Sequence, residues 1–274
     1  MTAQQHLDAG DLPAAIAQVS EELRKSPADH RKRTFLFELL CCAGDLDRAG
    51  RHLDVIADES KERAEAVLPY RSLLEAEKQR RRVFAESLIP GLPKKVPDAV
   101  PLHLEAIRQV REGNYAEARA LLEQAAESRP ALAGTINGEP FDDLSDADNL
   151  TGPVLEAFVN GNYAWIPWEA IESVEISRPQ HLRDLVWAPA RVELDIGSLG
   201  DIFLPALYVH SYLHADPRVK LGRMTDWRQD IAEVAVASGQ KVLVAGEREY
   251  PLLEVRSIAF AARKESDGVS GTAG

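Results

Sequence analysis

Cysteine is almost missing from this chain of 274 residues: Cys41 and Cys42 are the two present, and they are adjacent. Neighbouring cysteines cannot form an ordinary disulfide framework, so a reducing compartment is expected. No apolar run approaches the ~18–20 residues that cross a bilayer. The opening Met1-Thr2-Ala3-Gln4-Gln5 has no basic stretch leading into an apolar one, so no secretory signal is expected. Together these absences point to the cytoplasm. Positive charge is also scarce, with 32 Lys and Arg against 44 Asp and Glu and a net charge of −12. Nucleic acid and membranes are therefore not expected as partners, since both call for a basic face. Nucleophile-elbow, P-loop, dinucleotide-binding and HExxH zinc motifs are all lacking, so neither cofactor nor catalysis is expected.

What is present falls into two parts. Residues 1–90 carry 14 Lys and Arg against 16 Asp and Glu, the remainder 18 against 28. This asymmetry predicts segments with different surfaces. In the first part three stretches align: Gly10-Asp11-Leu12, Gly44-Asp45-Leu46 and Gly113-Asn114-Tyr115, each followed by a small residue at Ala15, Ala49 or Ala118. The first two glycines lie 34 residues apart, one tetratricopeptide period, and the third lies 69 further on. Glycine permits the tight turn between antiparallel helices, and the Asp or Asn beside it can cap the second helix. Pro27 and Pro130 then end two of those helices. Arg63 to Ser87 reads as one long helix, and the Pro-rich stretch 90–101 interrupts the array.

Beyond Pro130 the pattern changes. Gly134 to Leu150 is polar and turn-rich, and Gly152 to Val159 is predicted as a short helix ending at Asn160-Gly161. Strands are predicted near 163–167, 171–177, 190–195, 202–209, 231–236, 241–245 and 252–260. The expected fold class is thus α+β: a tetratricopeptide-like helical domain over 1–130, then a mixed domain with a largely antiparallel sheet over 131–262. Residues 263–274 are predicted as a disordered tail.

The block Leu182-Arg183-Asp184-Leu185-Val186-Trp187-Ala188-Pro189-Ala190 resembles a signature of the ImpE/TagJ family, accessory proteins of bacterial type VI secretion systems. Asp146-Ala147-Asp148 through Gly152-Pro153, Leu204-Pro205-Ala206-Leu207-Tyr208, and Leu221-Gly222-Arg223-Met224-Thr225-Asp226-Trp227 match that family in the same order. Leu150-Thr151 and Leu207 depart from it, standing where the family pattern has Arg-Leu and Arg. The resemblance implies a non-catalytic adaptor that binds a short helical segment of a contractile-sheath subunit and modulates sheath recycling by an AAA+ unfoldase. Its candidate interaction or domain-defining residues are Asp146, Asp148, Arg183, Asp184, Trp187, Arg223, Asp226 and Trp227.

Other chemistries compete with that reading. Asp142, Asp143, Asp146 and Asp148 could attract a hard metal, but the EF-hand positions five and six are Leu150 and Thr151, so a solvated loop capping the helix at Pro153 is expected instead. His210 and His214 have zinc-chelating spacing without an evident third ligand. Cys41 and Cys42 are expected in the core. Lys78-Gln79-Arg80-Arg81-Arg82 is expected to form a solvated helix face. Arg183 and Asp184 suggest a buried ion pair. The rival function is an enzyme or small-ligand sensor whose pocket gathers Asp146, Asp148, Arg183, Asp184, Arg223 and Asp226.

Overall fold

The computed structural model describes residues 1–228, 231 and 234–262, so the predicted tail over 263–274 lies outside the described residues. The helical half runs α1 (Ala3–Asp8), α2 (Leu12–Lys25), α3 (His30–Ala43), α4 (Leu46–Ala57), α5 (Lys61–Glu86), α6 (Ala99–Glu112) and α7 (Tyr115–Ser128). Strands follow: β1 (Gly134–Ile136), β2 (Glu139–Phe141), β3 (Leu144–Asp146), β4 (Val154–Val159), β5 (Asn162–Pro167), β6 (Ile171–Ile176), β7 (Trp187–Leu194) and β8 (Gly197–Pro205). After the short α8 (Pro217–Lys220) come β9 (Thr225–Trp227), β10 (Ala237–Gly239), β11 (Val242–Ala245), β12 (Arg248–Pro251) and β13 (Ser257–Phe260). The fold class is α+β, as the periodicities predict.

The three glycine turns lie where the repeats place them. Gly10, Gly44 and Gly113 all adopt positive φ between paired helices. Asp11 and Asp45 accept hydrogen bonds from the Ala14 and Arg48 N–H groups at 3.0 and 3.2 Å, capping α2 and α4. Asn114 makes no such cap: its amide donates instead to the Gln109 side chain at 2.8 Å. The Pro-rich interruption is not a loose link. Gly91 donates to the Tyr163 carbonyl and accepts from the Trp165 N–H, both at 2.9 Å. It thereby covers part of the free edge of β5, where unpaired backbone groups would otherwise face solvent.

The main sheet has the order β2-β1-β13-β6-β7-β8-β4-β5, with antiparallel pairing throughout. A three-stranded sheet, β12-β11-β3, and the ribbon β10-β9 complete it. Alternation of side chains decides what each face meets. Val154, Phe158, Tyr163, Trp165 and Trp187 join a core shared with α2 to α6. Leu155, Ala157, Ile166, Trp168 and Ala188 join a second core on the opposite face.

Three expectations need correction here. Val154 to Val159 is strand β4, not a helix; it is buried on both faces, so its apolar run has no period of two. Asn160 and Gly161 both have positive φ and form the tight turn into β5, and Asn137-Gly138 does the same between β1 and β2. The strand predicted over 231–236 is only partly within the described residues, and those described there form none; the neighbouring strand is Ala237–Gly239. Of the strand predicted over 252–260, Leu252–Glu254 is a 3₁₀ turn and Ser257–Phe260 the strand.

Two of the turn glycines meet different surroundings. A Cβ on Gly44 would lie 2.4 Å from the Tyr212 Cβ, whereas one on Gly113 would meet nothing within 4 Å among the described residues. Gly113→Ala is expected to cost roughly 1 kcal/mol for the left-handed backbone alone. Gly44→Ala should cost roughly 3 kcal/mol, because overpacking adds to the same strain. Chemical denaturation of both variants measures the gap, and equal losses would remove the Tyr212 contact from the account.

Candidate functional site

The polar centre of the molecule is built where α5 crosses the main sheet. Glu156 lies between Val154 and Phe158 on β4, so strand alternation turns it towards the helices. Arg80 of α5 meets it with two bonds, Nε to Oε1 at 2.7 Å and Nη2 to Oε2 at 3.1 Å. The same Nη2 donates to the Leu207 carbonyl at 2.9 Å, and Nη1 lies 3.4 Å from Glu77. Lys241 Nζ approaches Glu156 to 2.7 Å and also pairs with Asp146. Tyr163 donates to Glu156 at 2.6 Å and accepts from Trp165 Nε1. Tyr208 and Thr151 donate to Asp146 at 2.7 and 3.0 Å. Asp148 accepts from the Leu150 and Ala237 N–H groups, both at 2.8 Å.

Electrostatics hold this network in one charge state. Burial pushes the Glu156 carboxyl up, but Arg80 and Lys241 overcome that and hold it far below the carboxylate range. Burial also disfavours the Arg80 and Lys241 cations, yet their carboxylate partners raise both above their ordinary values. Asp148 behaves differently: burial, and then the neighbouring Asp146 carboxylate, raise it to about 7. The hollows beside the network are about 10 Å³ each, room for about one water. A substrate cannot enter there; the arrangement ties α5 to the sheet.

The remaining candidate residues lie elsewhere. Arg183 pairs with Glu38 of α3, and its guanidinium stacks 4.6 Å over the Tyr70 ring. Asp184 accepts from the Gln180 and His181 N–H groups at 2.8 and 2.9 Å, so the expected Arg183–Asp184 ion pair is corrected. Arg223 donates to the Leu7 and Asp8 carbonyls, both at 2.9 Å, closing the end of α1. Asp226 meets His214 at 3.0 Å near the surface. Trp187 is buried and its Nε1 has no hydrogen-bond partner among the described residues, while the Trp227 and Tyr208 rings lie 6.5 Å apart. The six residues of the imagined ligand pocket do not converge: Asp146 and Asp148 share the central network, and the other four are engaged in separate contacts elsewhere.

The acidic stretch is likewise not a solvated loop capping a helix. Asp146 and Asp148 are buried, and Arg129 binds Asp143 while β4 occupies the place of the helix. Among the described residues no group of three His, Cys, Asp or Glu side chains is arranged to hold a metal. His210 packs edge-on against Phe84, away from the His214–Asp226 contact. Cys41 and Cys42 are buried, and burial pushes the Cys42 thiol up to about 12. The basic run is not one solvated face. Arg80 is buried, and Arg81 donates to the Gly44 carbonyl while lying 3.7 Å over the Tyr212 ring. Lys78 and Arg82 alone match the expectation, pairing with exposed carboxylates at Asp47, Glu75 and Glu86.

Sequence reasoning missed Arg80, Glu156 and Lys241 as one cluster. Glu156 carried a usable signal: a single carboxylate inside an apolar run must find a partner. The two family departures are structural. Leu150 packs in the shared core while its carbonyl meets His103 Nδ1, and the Leu207 carbonyl receives Arg80.

A different feature is open to solvent. A groove of about 950 Å³ runs between the 91–99 segment, β5 and the β7–β8 hairpin. Leu92, Ala164, Ile166, Pro167, Leu194 and Leu199 give it an apolar lining, and Lys94 and Lys95 stand on one rim. Ile196 at the hairpin tip is 85% exposed beside it.

Comparison with known proteins gives a consistent picture. Residues 138–259 match the family model described as ImpE protein. The type VI secretion system accessory component TagJ of Pseudomonas aeruginosa is 36% identical over 260 residues, which span 95% of this chain and 91% of that protein. The crystal structure of protein VPA1032 from Vibrio parahaemolyticus aligns with a TM-score of 0.87 at 27% identity, over 95% of this chain and 98% of that one.

Arg80→Ala breaks the buried two-bond pair with Glu156 and is expected to cost about 3–5 kcal/mol, read from urea unfolding. A loss below about 1 kcal/mol, the size of an exposed pair, would contradict the clamp. Asp148 sits at about 7 when folded against an ordinary 3.8. Between those values the native state binds the extra proton, so this group's contribution to stability falls as pH rises through the window. Asp148→Asn removes that slope. The variant's stability relative to the parent should therefore climb from pH 4 to 7, and a flat difference would refute it.

Proposed function

The chain belongs to the ImpE family, and we propose that it is a non-catalytic, cytoplasmic adaptor within a type VI secretion system. Its role there is to bind a contractile-sheath subunit through a short helical segment and to modulate sheath recycling by the AAA+ unfoldase. The observation that carries this reading is the apolar groove beside β5. Its volume of about 950 Å³ suits the apolar face of a short amphipathic helix, a recurring mode of peptide recognition. The acids and bases that chemistry would need are mutually engaged in the core or in separate pairs elsewhere, which supports binding over catalysis. Among the described residues no helix is long and apolar enough to cross a membrane.

Calorimetry with the purified sheath subunit and with its N-terminal peptide tests the proposal. Binding is expected with a Kd on the order of tens of micromolar or tighter. Ile196→Asp and Leu199→Asp, on the hairpin that walls the groove, should each weaken it about tenfold or more while leaving the melting temperature close to the parent's. No binding at that concentration would overturn the adaptor reading, and binding unaffected by either substitution would move the contact off the groove.

A further inference from the structure

We propose that the hollow between α2, α3 and α4 is a binding site for a phosphoryl oxyanion. The hollow is about 340 Å³, separate from the groove and from the central network, and its polar lining includes Ser20, Arg24, Arg33, Arg48 and His52. Leu23, Pro27 and Leu36 supply the apolar part of the lining, which strengthens any charge interaction made above them.

Arg33 is the central observation. Its exposure is only 9%, one Nη2 bond reaches the Pro27 carbonyl, and the buried Nε has no hydrogen-bond partner among the described residues. Among the described residues no carboxylate pairs with it. A buried guanidinium without a counter-charge is costly, and a chain with a net charge of −12 had carboxylates to spare. The surroundings add positive charge instead of cancelling it. His52 is held below its ordinary value by partial burial and by the nearby Arg33, Arg48 and Arg51 cations. Arg24 and Arg48 do have partners, Glu21 at 2.7 Å and Asp45 at 3.3 Å. Both pairs are solvent-exposed and therefore weak, so either arginine can turn inward at little cost.

Geometry selects the class of anion. The donors arrive from three helices, hence from different directions. A planar carboxylate takes one edge of one guanidinium, whereas a tetrahedral phosphoryl group accepts from several sides and carries more charge. The shared chemistry is a phosphate monoester, free or borne by a protein side chain.

The test uses the full chain and inorganic phosphate at constant ionic strength, followed by calorimetry and by the His52 ring signals in NMR. Saturable binding is expected with a Kd on the order of 1 mM or tighter, with the His52 titration midpoint moving up. Arg24→Gln and Arg48→Gln each replace an exposed side chain and should keep the fold. Each is expected to weaken phosphate about tenfold, the effect of losing one charge-assisted bond. Arg33→Gln should abolish binding, and the two surface variants keep the idea testable if that one unfolds. Phosphoserine, free and within a short peptide, separates the sources: equal affinity assigns a small phosphomonoester, and tighter peptide binding assigns a phosphorylated protein segment. No saturable change by about 20 mM phosphate, an equal response to chloride, or full affinity in both surface variants would overturn the site.

Discussion

One buried arrangement of charges holds the architecture together: Arg80 from α5, Glu156 from β4, Lys241 ahead of β11 and Asp146 at the end of β3. Each charge is costly away from water, and each is tolerable only because the others sit within hydrogen-bond reach. That mutual dependence fixes geometry more than it adds stability. Displacing α5 along the sheet by one residue would part Arg80 from Glu156 and from the Leu207 carbonyl and leave its buried guanidinium unpaired there, so the helical half has one position on the sheet.

Weaker polar ties follow the same direction. Arg223 closes the carbonyl end of α1, Arg183 reaches Glu38 on α3, and Arg81 connects the Gly44 turn to Tyr212. Each runs between the first 90 residues and the last 100, and each satisfies groups that a helix end or a buried acid would leave open. The helices therefore cannot be treated as a separate repeat array stacked beside a sheet. Apolar residues from β4, β5 and β7 complete the core that the helices begin.

Those ties also explain where an open surface was left. Charged side chains are drawn inward along α5, while at the far edge of the sheet the Gly91 segment and the Gln79 side chain cover part of β5. The uncovered remainder, walled by the β7–β8 hairpin, is apolar and open. The protein thus has a closed polar interior and an open apolar groove.

The sequence by itself determined the local features. Glycine turns at 10, 44 and 113, the caps at Asp11 and Asp45, and the length of α5 all follow from residues within a turn or two of one another. Most strands could be read from their turns and β-forming residues, and the family blocks supplied the assignment. Only the tertiary structure decided β4, whose two buried faces erase the strand period, and the fate of Arg80, which looks solvated beside Arg81 and Arg82. Its partner Glu156 is 76 residues away, and Lys241 is 95 from Asp146. A charge run has the same composition whether water or a distant carboxylate neutralises it. Which of the two applies depends on the packing of sheet against helix, a long-range event that no local pattern encodes.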